Sequence, residues 1–145
     1  MKLTIEHRDL FTVPHSYTLC HCISADFALG AGIAKKFTEL GVREDLFRKY
    51  GNWEWRGEGA CLYTTATTWN GEFNLITKDK CYHKPTIISL GQALCAMRDH
   101  LIGGDKIAMP KIGCGLDRLK WEDVEQMLHN VFDSQDVEIL VCDWK

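Results

Sequence analysis

Lys106-Ile107-Ala108-Met109-Pro110-Lys111-Ile112-Gly113-Cys114-Gly115-Leu116-Asp117-Arg118-Leu119-Lys120-Trp121 decides the fold class. A short apolar run stops at a proline, a Gly-Cys-Gly turn and an aspartate follow, and Trp121, Val124, Leu128 and Val131 then recur at helical spacing. That is a strand, a glycine loop and a helix in direct succession. In open α/β sheets such loops sit at the carboxyl ends of strands, where ligands bind. Glycines let backbone amides approach an anion without a Cβ in the way, and the start of a following helix adds positive potential. Taken by itself, the stretch serves equally well as a tight turn with a solvated aspartate.

The same pattern occurs earlier in the chain. Tyr17 to Ile23 suits a buried strand, and Leu29-Gly30-Ala31-Gly32-Ile33-Ala34-Lys35-Lys36-Phe37 is a glycine loop opening a helix whose Ile33, Phe37 and Leu40 share a face. Gly41 ends that helix, and Val42 to Tyr50 form another before Gly51. Leu3 to Ile5 form a first strand ahead of Asp9-Leu10-Phe11. Gly51 to Gly59, with Trp53 and Trp55, has no legible role. Ala60 to Thr67 and Glu72 to Thr77 are strand-like and flank Asn70-Gly71, which predicts a hairpin and therefore a mixed sheet. Pro85 suits the first turn of a helix in which Ile87, Leu90, Leu94, Met97 and Leu101 face the core, with Gly103-Gly104 closing it. The last helix runs to about Phe132 and Val137 to Val141 form a last buried strand. The expected architecture is a three-layer α/β/α sandwich around a central mixed sheet, as one domain over residues 1–145.

Bulk properties narrow the function classes. At 145 residues, with 46% hydrophobic and 26% charged positions, the chain has an ordinary globular composition. A formal charge of −3, from 17 basic and 20 acidic residues, gives no general attraction for nucleic acid or an anionic membrane. No apolar run approaches a membrane span, and Met1 to Asp9 lack the apolar core of a signal peptide. Seven cysteines without a Cys-x-x-Cys pair read as reduced thiols of a cytoplasmic protein, and the six histidines form no zinc spacing with them. No metal and no cofactor is expected.

Known nucleotide fingerprints fail. A dinucleotide loop needs Gly or Ala where this chain has Lys35 and Arg118, and no Gly-Lys-Ser/Thr exists for a phosphate loop of the ATPase kind. A Gly-x-Ser-x-Gly elbow is absent, although Ser24 lies near a strand end with His21 close in sequence. Cys114, set between two glycines, has no histidine placed by sequence as its base, so small size explains it better than reactivity.

Six motifs in series, with compatible spacings, carry a resemblance. Asp9-Leu10-Phe11, His21-Cys22-Ile23-Ser24, Gly30-Ala31-Gly32-Ile33-Ala34, Leu75-Ile76-Thr77-Lys78, His83-Lys84-Pro85-Thr86 and Pro110 through Leu119 closely resemble the macrodomains, in the branch of the terminal ADP-ribose protein glycohydrolase. The resemblance implies an ADP-ribose pocket. Asp9, beside Leu10, matches the acid that accepts a hydrogen bond from the adenine amino group. Gly30, Ala31, Gly32, Ile33 and Ala34 match the loop beside the distal ribose and diphosphate, and Ile112, Gly113, Cys114, Gly115 and Leu116 the loop on the other side. Ser24 falls where the branch has a pocket serine, and Thr77 is expected in the same pocket. Lys78 and Asp117 match the pair that removes ADP-ribose from carboxylate esters: the lysine attacks the anomeric carbon and the aspartate moves protons. Chemistry suits these types, since a neutral amine is a competent nucleophile and a carboxylate a competent base. Two departures stand out. Arg8 replaces the usual glycine before Asp-Leu-Phe, and Cys142-Asp143-Trp144 replaces a tyrosine offered to the adenine, a place Trp144 can fill.

The expected function is thus an ADP-ribose hydrolase, acting as a monomer on ADP-ribosylated glutamate or aspartate in proteins, on O-acyl-ADP-ribose, or on ADP-ribose 1″-phosphate. A non-catalytic reader of ADP-ribose is the alternative, and it needs neither Lys78 nor Asp117.

Overall fold

In a computed structural model, which describes residues 1–53 and 56–144, six strands form one sheet in the order β1-β6-β5-β2-β4-β3. These are β1 (Lys2–Glu6), β2 (Thr18–Ser24), β3 (Cys61–Thr64), β4 (Glu72–Lys78), β5 (Asp105–Pro110) and β6 (Val137–Cys142). Five are mutually parallel, and β3 alone runs antiparallel, against β4. Four helices cover the faces: α1 (Ile33–Glu39), α2 (Val42–Tyr50), α3 (Ile87–Arg98) and α4 (Trp121–Phe132). Among the described residues no helix is long and apolar enough to cross a membrane. Trp55 lies outside the described residues.

Because strand side chains alternate between faces, each central strand feeds two cores. Cys20, Phe73, Leu75, Ile107, Met109, Ile139 and Val141 pack beneath α3 and α4. Leu19, Ile23, Ile76, Ala108 and Leu140 pack with Phe37 and Leu46 of α1 and α2. Strands buried on both faces read as near-continuous apolar runs, which is why 107–109 and 139–141 carry no polar alternation. The three layers follow as expected.

Local chemistry moved several boundaries. The Asn70-Gly71 turn does not close a two-residue hairpin: β3 ends at Thr64, and the connection from 65 to 71 folds around the buried carboxylate of Glu72. That carboxylate accepts from Thr64 Oγ1 at 2.7 Å, from the Ala66 and Thr67 amides at 3.0 Å each and from Thr67 Oγ1 at 2.6 Å. Pro85 lies before α3 and not inside its first turn. Thr86 is the N-cap, and it exchanges hydrogen bonds with Ser89 in a capping box. The helix ends at Arg98, so Leu101 and Gly103-Gly104 belong to the following turn. Gly41, with φ of 96°, both ends α1 and caps α2.

His21 is fully buried in β2. Its ring stacks on Phe37 at 3.8 Å, and its Nε2 meets the Asn74 amide oxygen at 2.6 Å. Burial pulls its pKa down to about 4, against a smaller opposite pull from Asn74. A base whose folded pKa lies below its unfolded value of 6.5 costs stability once the unfolded chain takes up a proton that the folded one refuses. Stability therefore falls as pH drops from about 6.5 toward 4, and levels off below that.

Two outcomes are expected. Urea denaturation at pH 5 should give a stability lower than at pH 7 by roughly 2 kcal/mol from His21, and His21→Gln should flatten the decline between pH 6.5 and 5. Glu72→Gln places an NH2 donor where amide and hydroxyl donors converge, so it should lower the unfolding free energy by about 2–3 kcal/mol; an unchanged midpoint would remove Glu72 as the loop's organiser.

Candidate functional site

Parallel β2, β4 and β5 bring the segments after Ser24, Lys78 and Pro110 to one edge of the sheet, where they enclose a cleft of about 1050 Å³. The segments after β1 and β6 complete it with Asp9, Leu10, Phe11, Cys142, Asp143 and Trp144.

At one end Asp9 caps a short 3-10 turn (Leu10–Thr12), accepting the Phe11 amide on Oδ1 at 3.0 Å. Its Oδ2 has no hydrogen-bond partner among the described residues. Arg8 braces the same turn, donating to the Thr12 carbonyl at 2.7 Å and to Glu6 Oε1 at 3.0 Å. Trp144 lines the cleft and leans on His7, with ring centroids 5.2 Å apart.

The first glycine loop is held in strained backbone by its own anchors. Phe27 and Leu29 have φ of 55° and 43°, a region costing on the order of 1–3 kcal/mol for such residues. Both side chains are buried, the Phe27 carbonyl accepts from Arg43 Nε at 2.8 Å, and the Leu29 carbonyl accepts from Thr38 Oγ1 at 2.9 Å. Gly32 follows with φ 59° and ψ −145°, a conformation essentially limited to glycine.

In the second loop Gly113, with φ of 73°, is closed by the Leu119 amide donating to its carbonyl at 2.7 Å. A Cβ there would lie 2.8 Å from Leu119 Cδ1, so Gly113 serves the turn. Gly115 differs: a Cβ there meets nothing within 4 Å. Its missing side chain leaves open space toward the cleft it lines. The expected helix start lies farther on, at Trp121, beyond the N-cap Lys120.

Asp117 is consequently not a helix-terminal carboxylate. Its Oδ1 accepts from Lys78 Nζ at 2.8 Å, and the two side chains are only 19% and 15% exposed. The pair spans β2, tying the loop after β5 to the end of β4. Two further contacts follow the same path: Lys84 Nζ donates to the Leu116 carbonyl at 3.4 Å, and the Leu116 side chain stands 3.4 Å from where a Gly32 Cβ would be.

Ser24 Oγ donates to Asp26 Oδ1 at 2.5 Å. Asp26 also accepts the Ala28 and Cys81 amides. Burial works against its ionisation, but these hydrogen bonds outweigh it and hold its pKa below the usual carboxylate range. With its proton committed, Ser24 offers lone pairs to the cleft, and His21, bonded to Asn74, makes no bond to it. Two of the cleft thiols, Cys22 and Cys114, are poor nucleophiles. Burial, followed by the charge of Asp117, pushes Cys22 up to about 12, and burial raises Cys114 as well.

Fifteen of the sixteen expected site residues therefore line the cleft, and Thr77 does not. It is 1% exposed, on the opposite face of β4 from Ile76, and its carbonyl accepts from Ser89 Oγ at 2.7 Å. Lys36, Cys81, Lys111 and Asp143 are additional lining residues. They come from four separate segments: Lys36, Lys111 and Asp143 stand in stretches already singled out but were not assigned to the site, and Cys81 lies between two of the motifs.

No protein-family profile matches the chain. A human protein named ADP-ribose glycohydrolase OARD1 is 40% identical over 144 residues, covering 97% of this chain and 90% of the relative. The macrodomain of Mycobacterium tuberculosis DarG superposes with a TM-score of 0.82 at 21% identity, over 97% of each chain. Thermosipho africanus DarTG in complex with ADP-ribose gives 0.73 at 16% identity, over 97% of this chain and 41% of that one. Identity this low between structures speaks for the fold alone, whereas the human relative, matched almost end to end, fixes the branch. The chain belongs to the macrodomain family, in the branch of the terminal ADP-ribose protein glycohydrolases.

Proposed function

We propose that the protein is an ADP-ribose hydrolase that cleaves acyl-linked ADP-ribose, freeing ADP-ribose from esterified glutamate and aspartate side chains and from O-acyl-ADP-ribose. The observation that carries this reading is the half-buried Lys78–Asp117 pair across a cleft of nucleotide size. A protein that only held ADP-ribose would have no use for an amine and a carboxylate in contact there. The 40% identical human relative bears the name of an ADP-ribose glycohydrolase.

In this reading the adenine amino group donates to the open Asp9 carboxylate oxygen, Trp144 covers the ring, and the diphosphate lies between the two glycine loops. The distal ribose then reaches Lys78. Lys78, an ammonium in its ion pair, first passes a proton to Asp117. Its free amine attacks C1″, a C–N bond forms, and the C1″–O bond to the acyl group breaks with release of the carboxylate. Asp117, having returned its proton to solvent, accepts one from a water molecule that attacks C1″. The C–N bond breaks, and ADP-ribose and the lysine are regenerated. ADP-ribose 1″-phosphate presents the same anomeric carbon with phosphate as the leaving group, and belongs to the proposed substrate range. Seven free thiols suit a reducing cytoplasm, and nothing in the chemistry requires a second subunit.

Lys78→Ala should lose turnover of O-acetyl-ADP-ribose by on the order of 10²–10⁴-fold while ADP-ribose affinity, measured by calorimetry, stays near the parent's. Lys78→Arg should fare no better, because a guanidinium keeps its charge and its protons and cannot attack carbon. Asp117→Asn should behave likewise, and the double variant should be little worse than the worse single one. Full activity in Lys78→Arg would replace nucleophilic attack by charge stabilisation. Gly115→Val adds bulk beside the cleft without meeting the fold, so it should abolish ADP-ribose binding with little change in thermal midpoint; unchanged affinity would move the diphosphate elsewhere. Gly32 is a poorer probe, since any side chain there is strained before it meets a ligand.

A further inference from the structure

The charge of the chain is distributed unevenly about the cleft. Segments 78–84 and 111–120 hold Lys78, Lys80, Lys84, Lys111, Arg118 and Lys120 against Asp79 and Asp117, a balance of +4 in a chain of −3, which leaves −7 on the remainder. Lys78 and Asp117 neutralise each other, and Lys111 pairs with Asp143 at 3.3 Å. Asp79 is turned aside, its Oδ1 accepting the Glu58 amide at 3.1 Å. Lys80 and Arg118 are exposed and enter no ion pair among the described residues. They lie beside cleft-lining residues in sequence, Lys80 next to Cys81 and Arg118 next to Asp117, which places this charge around the cleft.

The same segments expose apolar surface. Tyr82 is 77% exposed and Leu116 65%, and Ile88, in the first turn of the helix that follows Lys84, is 69% exposed. Leu116 lines the cleft and Tyr82 follows the cleft-lining Cys81, so apolar side chains stand among the cations of these segments. Cations next to them select the partner's sign, and they act mainly on encounter and on KM.

We infer that this rim is a docking surface for the polypeptide that carries the ADP-ribose, and that it selects an acidic stretch around the modified residue. The inference rests on the proposed function and names its substrate class: an acidic protein segment, in preference to a free acyl-ADP-ribose. A short acidic segment touches the basic rim and lays its apolar side chains on Tyr82 and Leu116. A long polyanion such as nucleic acid continues onto the rest of a chain bearing −7 and is repelled there. Aliphatic Ile88 and Leu116 also suit peptide side chains better than stacked bases, which favour aromatic faces.

The experiment uses three substrates of the whole protein: O-acetyl-ADP-ribose, a peptide ADP-ribosylated on one glutamate with acidic flanks, and the same peptide with neutral flanks. The parent should show a KM for the acidic peptide at least about ten-fold below that for the neutral one at low salt, and the gap should close at high salt, as exposed charges are screened. The variant Lys80→Glu/Arg118→Asn, in which asparagine tolerates the left-handed φ of 62° at 118, should lose the preference while its kcat/KM on O-acetyl-ADP-ribose stays within about two-fold of the parent's. Tyr82→Ser should raise KM for both peptides and leave the small substrate unaffected. Equal KM for the two peptides in the parent overturns the inference, as does an equal loss on all three substrates in the variant. An ADP-ribosylated single-stranded oligonucleotide serves as a fourth, control substrate, and a loss in the variant confined to it overturns the inference in favour of nucleic acid. No turnover of any substrate by the parent sinks the proposed function itself, which separates the two failures.

Discussion

The cleft depends on β2 lying between two strands that run the same way. With β5 on one side and β4 on the other, three chain segments leave the sheet at a single edge, and each must turn back over it to reach a covering helix. Parallel strands cannot be joined by tight hairpins, so these segments are long enough to hold chemistry. One of them carries a lysine, another an aspartate, and β2 lies between. The Lys78–Asp117 contact is therefore a product of strand order, and it bridges the one strand that separates β4 from β5.

Holding that arrangement has a cost that the cores offset. Two buried hydrophobic residues sit in left-handed backbone ahead of Gly32, and Arg118 does so beyond Asp117. Such strain persists only where the surroundings fix it. Here Phe27 and Leu29 belong to the core under α1 and α2, and Thr38 and Arg43 of those helices bind their carbonyls. Binding loops are thereby preorganised by the hydrophobic layer behind them, which lowers the ordering that a ligand must induce.

Long periodic elements were legible because they are set by burial alone. Val42–Tyr50 was read to the residue, Val137 to Val141 stops one residue short of β6, and the apolar run that stops at Pro110 is β5. Misreadings fell where a single polar group overrides propensity. Asn70-Gly71 is a strong turn signal, but Glu72 collects four donors from the preceding loop and stretches the connection. Pro85 suits a first helical turn, yet Thr86 and Ser89 form a box that starts the helix after it. In the site, motif residues came together as expected, except Thr77, whose place in β4 turns it away from the cleft. Lys36, Lys111 and Asp143 stand in stretches that were singled out, but which residues of a stretch face the cleft is set by side-chain direction in the finished fold.

The placement of β1 has a consequence for the birth of the molecule. Among the described residues its one partner in the sheet is β6, with Leu3 aligned to Ile139, so β1 must wait until β6 has been made. A nascent chain can assemble β2, β4 and the helices between them while β1 stays unpaired, its backbone donors and acceptors open to the ribosome surface and to chaperones. The entropic toll of so long a closure grows slowly, by only about 0.6 kcal/mol for each doubling of the loop. Timing is the harder demand, since Asp9, which follows β1, reaches its place at the cleft only when the carboxyl-terminal strand has emerged. The finished cleft is thus acquired all at once, when β6 emerges, and a chain stalled short of β6 would carry both glycine loops without it.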